Sequence, residues 1–138
     1  MDRTELLAFM RKGTFWTQAS ATVDGTPQAA VVGVAVTSAL ELVFDTLDTT
    51  RKCKNLRANP KIALVMWDGA ATVQLEGLAD EPTGAELAGL KAVYFAQFPD
   101  GPSRESWPGI AYFRVRPSWV RHTDFSGATP LESEFRFP

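Results

Sequence analysis

Cysteine, histidine and charge imbalance are all scarce in this chain of 138 residues, and each scarcity excludes something. The single cysteine, Cys53, rules out an intrachain disulfide framework and any cysteine-cluster metal site, and it fits a reducing compartment. One histidine, His122, with no serine or cysteine at triad-like spacing, leaves no catalytic triad to assemble. It reads as a surface or interface residue. A net charge of −2 with a pI near 5.4 gives no general electrostatic case for nucleic acid; the one basic stripe runs from Arg51 to Arg57. No apolar run approaches membrane-spanning length, and the start, Met1-Asp2-Arg3-Thr4-Glu5, carries acid too early for a signal peptide. The expected location is cytoplasmic. Glycine-rich phosphate loops, zinc-ligand spacings and paired acidic motifs are missing as well.

What is present is a soluble, single-domain composition, 45% hydrophobic and 22% charged, spanning 1–138. Asp2 to Lys12 reads as a short amphipathic helix that Gly13 ends. Strands follow in close order: Thr14 to Val23, a turn at Asp24-Gly25-Thr26-Pro27, then Gln28 to Thr37, whose apolar run from Ala29 to Val36 predicts burial on both faces. Leu40 to Asp45 is the next. Lys61 to Trp67 and Ala71 to Ala79 form a pair around Asp68-Gly69. A helix with capping-box spacing between Thr83 and Glu86 runs to about Phe98. A Pro- and Gly-rich loop leads to a last strand, Ile110 to Asp124, whose ladder Pro117 interrupts. The tail from Ser126 shows no clear periodicity. The predicted fold class is mainly β (α+β): a six-stranded antiparallel split β-barrel with flanking short helices.

The segment between Phe44 and Asn59 carries the chemistry. A strand ends at Asp45-Thr46, Thr49 or Thr50 is a natural N-cap, and a helix from Cys53 to Asn59 stops at Pro60. Arg51 and Lys52 therefore fall in the first turn, at the positive end of the helix dipole, where acids are normally favoured. Two cations against a dipole make sense around an anion, and free first-turn N–H groups with a forked guanidinium suit a phosphate. Lys54 and Arg57, later in the helix, suit its negative end and read as a solvated face. Asp45 and Thr46 divide evenly between turn chemistry and ligand contact. Cys53 reads as core. Among Trp16, Trp67, Trp107 and Trp119, most serve the core or an interface, with one free to stack on a planar ligand.

The order of these pieces resembles the pyridoxine/pyridoxamine 5′-phosphate oxidase-like family of flavin-binding split barrels. The resemblance rests on Ala21-Thr22-Val23-Asp24-Gly25-Thr26-Pro27, Phe44-Asp45-Thr46 with Thr50-Arg51-Lys52, Asn55-Leu56-Arg57-Ala58-Asn59-Pro60, Val73-Gln74-Leu75-Glu76-Gly77, and Tyr112 to Trp119. It implies that Arg51 and Lys52 hold the phosphate of FMN, with Thr46 and Asp45 beside it. It also implies that backbone groups around Ala30, Val31 and Val32 line the ring, and that Thr72 faces it. It further implies a homodimer with FMN at the subunit interface, where Trp119 or Trp107 reaches the partner's cofactor. The Arg-x-His motif of the vitamin-forming oxidases is missing from the tail, and Ala30 and Ala35 stand where those enzymes place Arg and Lys. Those departures argue against pyridoxamine phosphate oxidation and place the chain nearer the short, general-stress-type members. The expectation is an FMN-binding oxidoreductase acting on an unidentified small substrate, with no metal and no assigned catalytic residue. The alternatives are a deazaflavin-dependent reductase on the same fold and a non-catalytic flavin- or heme-binding protein.

Overall fold

A computed structural model describes residues 1–138. The chain runs α1 (Arg3–Met10), β1 (Phe15–Ala21), β2 (Pro27–Gly33), β3 (Ala35–Val36), β4 (Leu42–Leu47), α2 (Arg51–Ala58), β5 (Lys61–Asp68), β6 (Ala71–Asp80), α3 (Gly84–Gln97), a 3₁₀ turn (Gly101–Arg104), β7 (Ile110–Asp124) and β8 (Leu131–Arg136). The strands pair in the order β2-β1-β5-β6-β7-β4-β3, all antiparallel, and β8 joins β7 on the edge opposite β6, beyond the stretch that pairs with β4. Only Val34 separates β2 from β3, so the two ends of the sheet are one bent stretch of chain, which closes the barrel.

Period-2 patterning sorts side chains between the interior and the outer surface. Trp16, Val32, Phe44, Leu64, Met66, Val73, Leu75, Phe113 and Val120 point inward and form one core. Phe44 and Phe113, direct cross-strand partners, stack at 5.6 Å. Helix α1 adds Leu6, Phe9 and Met10 to that core, entered through a capping box in which Asp2 accepts from the Glu5 N–H and Glu5 accepts from the Asp2 N–H. A smaller cluster of Ala35, Val43, Leu90, Tyr94 and Tyr112 holds α3 against β3, β4 and β7. Both tight turns use glycine at positive φ, Gly25 at 86° and Gly69 at 57°.

Several expectations change. Eight strands replace six, because the predicted Gln28–Thr37 strand breaks at Val34 and the tail forms β8. The tail is held by its ladder to β7, by Phe135 and Phe137 packing on the core, and by the Arg3 guanidinium 4.7 Å over the Phe137 ring. The apolar run in β2 is not buried on both faces: β2 is an edge strand, and Val31 is 64% exposed. Pro117 does not stop β7; the ladder shifts register opposite Gly77, where a side-chain carbon would stand 2.3 Å from the Arg116 carbonyl oxygen. Thr83 caps α3 without a side-chain hydrogen bond. Its expected partner Glu86 instead accepts from Arg114, which also grips Asp80 through two nitrogens.

His122 is not at the surface. It faces the interior of β7, 8% exposed, with its ring edge-on to Phe9 at 4.6 Å. Burial pushes its pKa below the usual 6.5, against an opposing pull from Asp124. The unfolded chain therefore takes up a proton near pH 6.5 while the folded chain resists it, so stability is lost as pH falls below that value. In His122→Phe, urea midpoints measured at several values from pH 7 down to 5 are expected to decline less steeply than in the parent chain. Equal slopes would remove His122 as the cause.

Candidate functional site: an anion cradle at the start of α2

Helix α2 begins as the sequence requires. Thr50 is its N-cap, settling the choice between the two threonines: its Oγ1 accepts from the Cys53 N–H at 3.3 Å and donates to the Leu47 carbonyl at 2.8 Å. Thr46 meets the same hydroxyl at 2.9 Å, which ties the end of β4 to the helix start. The first turn contains no acid, and Arg51 and Lys52 form no ion pair. Arg57, by contrast, is clasped by Glu81 at 2.9 and 3.0 Å on an exposed surface, as expected of a solvated face. Burial pushes the Lys52 ammonium below its usual pKa, so the group stands partly desolvated without a counter-charge.

These residues form one wall of a cleft of about 330 Å³, with Thr49 and Thr50. Strands β1 and β2 supply the other wall: Gln18, Ser20, Gln28, Ala29 and Ala30. The carboxamide of Asn55 reaches from α2 to this wall and donates to Ser20 Oγ at 3.1 Å and Gln28 Oε1 at 3.0 Å. Gln18 is 1% exposed, and its Oε1 has no partner. Three larger clefts exist, about 540 Å³ between α3 and β3, about 550 Å³ near Gly77 and Ser118, and about 420 Å³ around Trp119 and Arg121. None of them holds two unpaired cations at a helix start, and chemistry rather than size selects the smaller one.

The cleft adjoins the free edge of β2. The Val34 N–H donates to Thr14, so every second pair in the β1–β2 ladder exchanges hydrogen bonds, at 16/32, 18/30 and 20/28. The intervening residues, Ala29 and Val31, turn their N–H and C=O groups away from β1, where no other strand pairs with them. Pro27 falls in the same set, so its missing N–H costs nothing there. The backbone donors and acceptors expected around Ala30 to Val32 are thus those of Ala29 and Val31. Val32 itself lies in the core and exchanges hydrogen bonds with Trp16.

Other expected site residues separate. Asp45 follows the alternation of β4 and points opposite to Thr46, away from the cradle. Its carboxylate accepts from the Tyr94 hydroxyl at 3.0 Å and Arg104 Nε at 2.9 Å, which fixes α3 and the 3₁₀ turn. Thr72 and Trp119 lie on the outer face of the sheet, Thr72 opposite Trp67 and Trp119 opposite Glu76 with Arg121 over its ring. Trp107 is half exposed in the loop after the 3₁₀ turn. Cys53 is fully buried, and burial pushes its thiol pKa up, which disfavours a reactive thiolate. No group of His, Cys, Asp and Glu is arranged to hold a metal. Gln18, Ser20, Gln28 and Asn55 were missed as site residues. A signal existed: Gln18 and Ser20 continue the inward register of Trp16, where a core strand should carry apolar side chains.

A family model described as pyridoxamine 5′-phosphate oxidase matches residues 3–124. The chain belongs to the pyridoxamine 5′-phosphate oxidase family. The match spans α1 through β7, both walls of the cradle included, and stops before β8. Among solved structures, this family member resembles a heme-binding protein from Mycobacterium smegmatis at TM-score 0.85 and 21% identity, over 96% of this chain and 56% of that one. It therefore spans little more than half of that protein. It also resembles HutZ, the heme storage protein from Vibrio cholerae (TM-score 0.74, 13% identity, 83% and 89% covered). A putative pyridoxamine 5′-phosphate oxidase from Listeria innocua is similar too (TM-score 0.71, 18% identity, 86% and 95% covered). These likenesses establish the split-barrel fold. No curated protein matches the sequence significantly.

Proposed function

We propose that this protein is a homodimeric, cytoplasmic FMN-binding oxidoreductase acting on a small molecule, with the cofactor phosphate in the cradle. The observation that carries the reading is the pair of unpaired cations at the start of α2, an exposed Arg51 and a partly desolvated Lys52, beside free first-turn N–H groups. Arg51 and Lys52 neutralise and orient the phosphate, and Thr46 braces the capping hydroxyl between them and β4. The open edge at Ala29 and Val31 supplies backbone donors and acceptors for a heteroaromatic ring. When bound, the flavin supplies hydride chemistry, and the chain supplies binding, orientation and exclusion of water. No side chain in the cradle is placed as an acid or base, which leaves the substrate side open.

The heme-binding neighbours bring a rival ligand, and the chain argues against it. Heme iron takes His, Cys, Met or Tyr as an axial ligand. Here His122, Cys53, Tyr94, Tyr112, Met10 and Met66 are buried, and the one exposed candidate, Met1, is not among the residues that line the cradle. Titrating the ligand-free protein with FMN and, separately, with hemin separates the readings. The expected result is saturable quenching of flavin fluorescence and no ligated heme spectrum. A sharp ligated-heme band with no flavin uptake would replace this reading with the heme one. A deazaflavin taken up in preference to FMN would keep the cradle and change the cofactor.

A further inference from the structure

Only two buried polar side-chain atoms in the chain lack a hydrogen-bond partner: Gln18 Oε1 and the Tyr112 hydroxyl oxygen. Tyr112 sits beneath α3, outside the cradle, whereas Gln18 lines it. Orphaned buried amides are rare because the lost hydration is not returned, so each one calls for a cause. Neighbouring groups offer Gln18 none. Ser20 and Gln28 accept from Asn55 and neither donates to Gln18, and the residues on either side of Gln18 in the ladder, Ala30 and Leu64, carry no polar side chain. An amide turns about its last torsion and presents either its oxygen or its NH₂ to a ligand, so the same group serves a donor or an acceptor.

The position along the wall narrows what the ligand must be. Arg51 and Lys52 stand on one wall of the cradle, and on the other the lining runs along β2 from Gln28 to Ala30, one residue short of the free edge at Val31. Gln18 belongs to the ladder rung beside Ala30, between the Ser20–Gln28 rung and the Val31 edge. A ligand that reaches from the cations to that edge passes it with the segment linking phosphate to ring, and in a flavin nucleotide that segment is a chain of hydroxyls. Resting on the flavin reading above, we infer that Gln18 is a specificity-determining residue that hydrogen-bonds those hydroxyls and selects a polyol phosphate over a bare phosphate.

Gln18→Met keeps the length and volume and removes the hydrogen bond, and it separates this role from a structural one. FMN affinity is expected to fall about tenfold, the worth of one buried hydrogen bond. Affinity for inorganic phosphate should stay unchanged, and the ligand-free melting temperature should hold or rise, because an unsatisfied amide has been removed. Gln18→Leu repeats the measurement should the methionine variant fold poorly. Unchanged FMN affinity in a wild type that binds FMN overturns the inference alone. So does a fall in ligand-free melting temperature with equal losses for FMN and phosphate, the mark of a structural glutamine. A wild type that binds phosphate and takes up no FMN overturns the flavin reading and this inference with it.

Discussion

Arg51→Ala combined with Lys52→Ala should purify without flavin and bind added FMN at least roughly a hundredfold more weakly than the parent chain, since two charge-assisted contacts to a phosphate are worth about 3 kcal/mol at a partly exposed site. The same change should leave the ligand-free fold intact or slightly firmer. Both cations oppose the helix dipole, α2 has no first-turn acid to offset them, and neither is tied to a carboxylate that would be orphaned. Loss of ligand with gain of ligand-free stability is the signature of groups kept for binding. Residues with a structural role would show both losses together. Fluorescence titration with FMN and a urea unfolding curve on the same preparation read the two quantities. Flavin affinity within a fewfold of the parent would remove Arg51 and Lys52 from the site. A large drop in ligand-free stability would assign them to the fold instead.

The start of α2 was legible because its signals are local. A β-strand ending in Thr46, two threonines, two cations and a proline eight residues after Lys52 define a helix terminus and its charge without reference to the rest of the chain. The barrel was legible for the same reason, since two Asp-Gly turns and period-2 patterning set most of the register. What failed depended on partners distant in sequence. An edge strand and a central strand both read as apolar runs, and only the pairing order reveals that β2 has one neighbour. The strand in the tail was invisible because Leu131-Glu132-Ser133-Glu134-Phe135-Arg136 has little burial of its own and is stabilised by β7. Asp45 and Thr46 were grouped because they are adjacent, although adjacency in a strand sends side chains to opposite faces. His122 was misplaced by its polarity; Phe9, more than a hundred residues earlier, covers it. Glu86 had the right spacing for a cap, but Arg114 offered a stronger, charged partner.

The outer face of β1, β2 and β5 yields the second large effect. Phe15 is 67% exposed, Trp67 69% and Val31 64%, and Ala19, Ala29, Ala63 and Val65 fill the spaces between them on the same side of the sheet. So broad an apolar surface beside an unpaired strand edge is a hazard in a monomer and an asset at an interface. Phe15→Asp together with Trp67→Asp is expected to convert the protein from a particle of twice 15.1 kDa to one of 15.1 kDa in light scattering, with an unchanged far-ultraviolet spectrum, because the barrel core lies on the other side of the sheet. In a two-fold interface each substitution acts twice, so four buried charges should weaken association on the order of a thousandfold or more. A parent chain that is monomeric at all concentrations, or a variant that stays dimeric, would place the interface elsewhere or dismiss it. The same pair of variants tests why Thr72 and Trp119 stand on this outer face while Arg51 and Lys52 line a cradle inside their own chain. If those residues serve the partner's cofactor, the monomeric variant keeps its affinity for inorganic phosphate and loses most of its affinity for FMN. Equal FMN affinity in monomer and dimer would confine the site to one chain and leave Thr72 and Trp119 with no part in it.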